Sequence, residues 1–134
     1  MTRTLVDTSA YSALMRGDPE VAAALGETDE VFMSVIVLGE LRAGFRKGSK
    51  LKRNEALLRE FLGEPRVAVV AVDEETSSRY AIIHHDLRRR GTPVSVNDVW
   101  IAASASQHGL RILTTDDDFL RISQVITDYI EPRP

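Results

Sequence analysis

The sequence predicts an α/β domain in which a parallel β-sheet carries helices on both faces. Two observations lead there. Short apolar runs rich in valine and isoleucine alternate with longer segments of helical period, and parallel neighbours need a crossover that is normally helical. The chain also has 134 residues, 43% of them hydrophobic, with no linker composition and no internal repeat. A chain of this length buries roughly two-thirds of its unfolded surface, enough for one apolar core without staples. Residues 1–134 are therefore expected to form a single domain.

Each element has a local cause. Arg3 to Val6 reads as a buried strand, and Ser9 to Arg16 as a helix ended by Gly17. Asp18 and Pro19 supply an N-cap and a first-turn proline for a short helix through Leu25. Val31 to Met33 is an interior strand, and Ser34 caps a helix to about Arg46. A second helix follows from Ser49 to Leu62, then a valine-rich strand from Val67 to Val72. Asp73-Glu74-Glu75 opens a long helix that reaches Arg88-Arg89-Arg90 and stops at Gly91. Acids first and bases last suit the helix dipole. Ser95 to His108 is a further helix with Gly109 beyond it. Arg111 to Thr114 and Val125 to Ile126 read as the last two strands.

Composition removes several functions. With no cysteine, disulfides and cysteine-ligated zinc are excluded. A net charge of −3 does not suit a protein that coats nucleic acid by bulk positive charge, though it leaves room for a local basic patch. No window of about 18 apolar residues suggests a membrane span, and the first residues lack a signal-peptide pattern. The expectation is a cytoplasmic protein that does not engage membranes.

The carboxylates fall at four separated places. Asp7 directly follows the first strand, where it can cap a helix or serve a site. Glu40 lies in a nearly all-apolar stretch, with Ile36, Ala43 and Gly44 as helical neighbours that look fit to pack on a sheet. A carboxylate there is paired with a base or held for a purpose, and Arg42 points to another face. Asp98 stands three residues after Ser95, the spacing of a capping box. It also heads the stripe Ile101, Ala102, Ala105. Asp116, Asp117 and Asp118 follow a strand directly, as an acidic turn or as part of a site.

If the first and a later strand are neighbours where the strand order reverses, Asp7 and Asp116 meet across the crevice. Clustered carboxylates with no cysteine, and no histidine at ligand spacing, select hard cations such as Mg²⁺ or Mn²⁺. Without a cation such acids raise one another's pKa values. A basic segment suited to phosphate contacts is local: Arg42, Arg46, Lys47, Lys50, Lys52 and Arg53 fall within 12 residues that contain no acid. A solvated helix face is the competing reading. Arg88 to Arg90 suit a helix C-terminus, His84 and His85 a structural place, and Trp100 and Tyr11 packing or a dimer surface.

Leu5-Val6-Asp7-Thr8-Ser9, the stretch from Ser34 to Gly44, Asn97-Asp98-Val99-Trp100-Ile101-Ala102-Ala103 and Thr114-Thr115-Asp116-Asp117-Asp118-Phe119 resemble, in this order, the PIN-domain ribonucleases. Among these the chain looks most like the VapC-type toxins of toxin–antitoxin pairs. The resemblance implies that Asp7, Glu40, Asp98 and Asp116 bind metal and carry catalysis, with Asp118 an outer contributor and Ser9 and Thr114 supporting hydroxyls. It further implies a five-stranded parallel sheet in 3-2-1-4-5 order, a homodimer, an RNA substrate and inhibition by a cognate antitoxin. An RNA-processing PIN nuclease without an antitoxin is the neighbouring alternative. A Mg²⁺-dependent phosphatase would need an acid where Ser9 stands, and a non-catalytic RNA-binding module would use the acids only as caps and ion pairs.

Overall fold

The computed structural model describes residues 1–134. In chain order it contains β1 (Arg3–Val6), α1 (Thr8–Met15), α2 (Pro19–Gly26), β2 (Glu30–Ser34), α3 (Val35–Lys47), α4 (Leu51–Leu62), β3 (Val67–Val70), α5 (Glu74–Arg90), α6 (Val96–His108), β4 (Arg111–Thr114), a 3-10 helix (Asp117–Arg121) and β5 (Thr127–Tyr129). The five strands form one parallel sheet in the order β3-β2-β1-β4-β5. The order reverses at β1, so right-handed crossovers put α1–α4 on one face and α5–α6 on the other.

The caps act where the sequence places them. Asp18 accepts from the backbone N–H groups of Glu20 and Val21 at 2.9 and 3.3 Å, and Ser34 from Ile36 at 3.0 Å. Asp73 and Thr76 complete a reciprocal capping box on α5. Gly91 and Gly109 end α5 and α6 with φ of +68° and +65°, a region that costs glycine nothing. The strands present Leu5, Val31, Met33, Ile112 and Leu113 to the interior. Tyr11 belongs to that core, edge-on to Phe61 with ring centroids 5.3 Å apart. Trp100 stacks on Tyr80 at 4.2 Å.

Several boundaries differ from the sequence reading. The last strand is Thr127–Tyr129 rather than Val125 to Ile126, because β4 pairs Ile112 with Thr127 and Thr114 with Tyr129. Ile126 only precedes the ladder, its carbonyl accepting from Ile112 N–H at 2.9 Å. The third strand stops at Val70 instead of Val72, since its partner β2 ends at Ser34, opposite Val70. The second helix of that crossover starts at Leu51, not Ser49, and Lys50 precedes it with no side-chain cap. The first helix begins one residue earlier, at Thr8, because Asp7 is its cap.

The face that α3 buries also differs. Val37, Leu38 and Leu41 are buried, while Ala43 and Gly44 are exposed and Ile36 is half-buried. The run Val35-Ile36-Val37-Leu38 is apolar all round, so its period cannot orient the helix. No helix is long and apolar enough to cross a membrane.

Candidate active site

The site is built on the two central strands. β1 and β4 pair with Val6 opposite Leu113, and one residue further on each strand releases its functional group at the point where the sheet order reverses. Asp7 leaves β1 in an extended conformation and caps α1, its Oδ1 accepting from Ala10 N–H at 2.8 Å. Thr114, the last residue of β4, donates its hydroxyl to Asp7 Oδ2 at 2.7 Å. Ser9 donates to the same carboxylate at 2.8 and 3.0 Å and accepts from Thr115 N–H at 3.0 Å. Asp7 is thus both a cap and a member of a cluster. Burial pushes its carboxyl up to about 6; the bonds from Ala10, Thr114 and Ser9 work against that, and the charge of Asp116 adds to it.

Asp116 follows β4 and caps the 3-10 helix, with Oδ1 accepting from Asp118 N–H at 2.9 Å. Its own N–H donates to the Thr114 hydroxyl at 2.9 Å. One threonine therefore orients both acids. Asp98 arrives from the opposite side at the start of α6. Ser95 accepts from Asp98 N–H at 3.3 Å, but the capping box is only half formed. Burial pushes the Asp98 carboxyl up to about 6, and the charges of Asp116, Glu40 and Asp7 push the same way against a bond from Ser95. Oxygens of Asp98, Asp116 and Asp118 lie within 4.8 Å of one another.

Glu40 has no basic partner, because Arg42 pairs with Glu55 at 3.0 Å. Thr8 donates to Glu40 Oε1 at 2.6 Å, and Asn97 Nδ2 donates to Oε2 at 3.2 Å. Thr8 and Asn97 are neighbours of a candidate acid, and sequence reasoning passed them over. Their only signal was position, each next to an acid already singled out. Asp118 lies beside Asp98 and Asp116, and Arg121 lies 3.3 Å from it.

An all-carboxylate donor set of this density, with one guanidinium beside it, fits a hard divalent cation in charge and ligand type. Arg46, Lys47, Lys50, Lys52 and Arg53 are exposed on the end of α3 and the start of α4. A cleft of about 590 Å³ lies elsewhere, lined by Thr4, Thr28, Leu113 and the Arg111–Asp128 ion pair. It holds no comparable cluster.

The model of the PIN domain matches residues 4–125. The chain is 34% identical over 125 residues to Ribonuclease VapC4 of Mycobacterium tuberculosis, covering 92% of this chain and 93% of that one. The chain belongs to the PIN-domain family, among the VapC ribonucleases. Ribonuclease VapC5 of the same organism is 30% identical to this PIN domain over 86% of the chain and 84% of its own. The DNA-bound VapBC of Salmonella typhimurium superimposes on it with a TM-score of 0.84 at 26% identity, over 96% of this chain and 98% of that one. PIN nucleases use divalent metals, and this PIN domain presents the acids such an ion takes.

Proposed function

We propose that this VapC-type ribonuclease hydrolyses RNA phosphodiester bonds with activated water, using Asp7, Glu40, Asp98 and Asp116 with Asp118 beside them, and that its cation is Mg²⁺ or Mn²⁺. The observation that supports this most is the group of Asp98, Asp116 and Asp118, whose oxygens lie within 4.8 Å of one another and on which the charges of Asp7 and Glu40 also bear. A bound divalent cation lowers the pKa of water and neutralises charge on the scissile phosphate. Asp98, Asp116 and Asp118 would hold it. Asp7 adds a buried negative charge fixed by Thr114 and Ser9, and Glu40, held at both oxygens by Thr8 and Asn97, orients the attacking water. The products would carry a 5′-phosphate and a 3′-hydroxyl.

The same reading makes residues 1–134 one PIN unit that acts in the cytoplasm, pairs as a homodimer and is silenced by a cognate antitoxin. A similar structure, VapBC-5 of Mycobacterium tuberculosis, a member of the VapBC family of toxin–antitoxin systems, supports the last point. Exposed Val35, Ile82 and Val96 offer apolar surface for a second copy. The purified chain is expected to cleave RNA with Mg²⁺ or Mn²⁺, to stop in excess chelator and to resume when Mn²⁺ exceeds the chelator. Undiminished cleavage in chelator overturns the reading.

RNA affinity is assigned to the basic segment. α4 has Lys50, Lys52 and Arg53 at its N-terminal end and no acid in its first turn, an arrangement the helix dipole disfavours. Helix stability therefore does not account for them. Replacing Arg46, Lys47, Lys50 and Lys52 together with Ala is expected to weaken RNA binding at low salt. The slope of log K against log salt should shrink by up to about 3 for four lost phosphate contacts. Arg42 is left out because Glu55 already holds it. Filter binding across a salt series reads the effect, and an unchanged slope assigns the segment to solvation alone.

A further inference from the structure

Arg121 closes the 3-10 helix that carries Asp118, and its guanidinium touches two segments at once. Nη1 lies 3.3 Å from Asp118 Oδ1 and donates to the carbonyl of Pro93 at 3.3 Å. Pro93 sits in the stretch between Gly91 and Ser95 that leads into α6, the helix bearing Asp98. One side chain therefore joins the acid of the 3-10 helix to the approach of the acid it faces.

The backbone of Arg121 is tied as well. Its carbonyl accepts from Arg90 Nη2 at 2.6 Å, and Arg90 is held by Asp86 through Nε at 3.1 Å. Arg89 and Gln124 bond the same Asp86 carboxylate at 2.8 and 3.3 Å. With these donors Asp86 stays at about 2, Arg90 contributing most. The arginine run at the end of α5 is thus more than a helix terminus. A 3-10 helix of five residues has poor hydrogen-bond geometry and little positional order of its own. Buried Phe119 anchors its middle, and Arg121 anchors its end.

We propose that Arg121 is a positioning residue that sets the spacing of Asp118 and Asp98 at which a divalent cation is held, with Arg90 and Asp86 as its brace. This rests on the reading of those acids as the cation's ligands. Two other roles make different predictions. A mere counter-ion would weaken cation binding, so its removal would tighten it. A phosphate contact would act on RNA binding and leave the cation alone.

The test is Mn²⁺ binding to the purified full chain without RNA, measured by calorimetry, alongside cleavage kinetics. Arg121→Ala is expected to weaken Mn²⁺ binding by about 10-fold, the lower range for loss of an outer-shell partner. Arg121→Lys keeps the charge without the planar fork and should fall between it and wild type. Asp86→Asn should weaken binding several-fold from a distance. Saturating Mn²⁺ should restore cleavage in Arg121→Ala with the KM for RNA unchanged. Equal or tighter Mn²⁺ binding in Arg121→Ala overturns the proposal, as does a raised KM for RNA that saturating Mn²⁺ does not correct. Melting curves check folding, and Arg121→Gln carries the same test where the alanine variant unfolds. Absence of Mn²⁺ binding by wild type would overturn the reading of the acids, and this inference with it.

Discussion

Asp98→Asn is expected to lower RNA cleavage by more than ~100-fold while leaving the cation-free protein at least as stable as wild type. Loss of an outer-shell partner alone typically costs 10–100-fold in metal affinity or activity, and Asp98 is assigned to direct ligation. The substitution keeps side-chain volume and the cap, because Ser95 bonds the backbone N–H of residue 98. What it removes is one negative charge from beside Asp116, Glu40 and Asp7, in a place where burial already disfavours ionisation. If Asp98 were only a capping residue, activity would survive and stability would fall slightly. Single-turnover cleavage at limiting Mg²⁺, read with the melting temperature, separates the two. Wild-type rates would remove Asp98 from the site.

Asp7→Asn carries the second large effect, and pH exposes it. The Asp7 carboxyl stands at about 6 in the folded chain against 3.8 for a free side chain. The folded state therefore holds this proton more tightly than the unfolded state. The stability it confers is present in full below about pH 4 and is lost as pH rises through about 6. Two pKa units correspond to ~3 kcal/mol in the absence of a cation. Asn at this position does not ionise, still accepts from Ala10, and gives up one acceptor for Thr114. The variant should melt several degrees above wild type at pH 8 and show a flatter pH dependence between 4 and 7. Mn²⁺ should raise the wild-type melting temperature more at pH 8 than at pH 5, and should do so less in the variant. A variant that melts lower than wild type at pH 8 without metal would contradict the burial argument. Cleavage should fall as steeply as for Asp98→Asn.

Much of this molecule is legible in its sequence because its signals are local. Ser34, Asp18 and Asp73 announce helix starts by residue type, and Gly91 and Gly109 announce ends. Alternating strands and helices give the parallel sheet, but the adjacency of β1 and β4 is not in the alternation; the resemblance to PIN ribonucleases supplied the order. The separate acids could be nominated from their settings, Glu40 in an apolar run and Asp7 after a strand. Their mutual distances depend on that strand order. Thr8 and Asn97 leave no period and no spacing, because each acts through a single bond between segments brought together by the fold; Arg121 stands three residues from Asp118, but its bond to Pro93 joins segments the sequence keeps apart. The face of α3 was illegible for another reason: a helix apolar on every side at its start gives no direction to its moment.

The bond from Thr114 to Asp7 spans 107 residues. Contacts of such separation are the slowest to form, because the chain must close a long loop before they return anything. Synthesis runs from the N-terminus, so β1 and Asp7 emerge long before Thr114, Asp116 and Asp118 exist. Until then Asp7 has no hydroxyl from β4 beside it, the three-carboxylate cluster is missing two members, and β1 lacks one of its two neighbours. If Asp116 and Asp118 hold the cation, a half-made chain, or one cut ahead of Arg111, lacks the acids that cleavage needs. For an enzyme that hydrolyses RNA, as proposed, this order of synthesis spares the ribosome that makes it from its own nascent product.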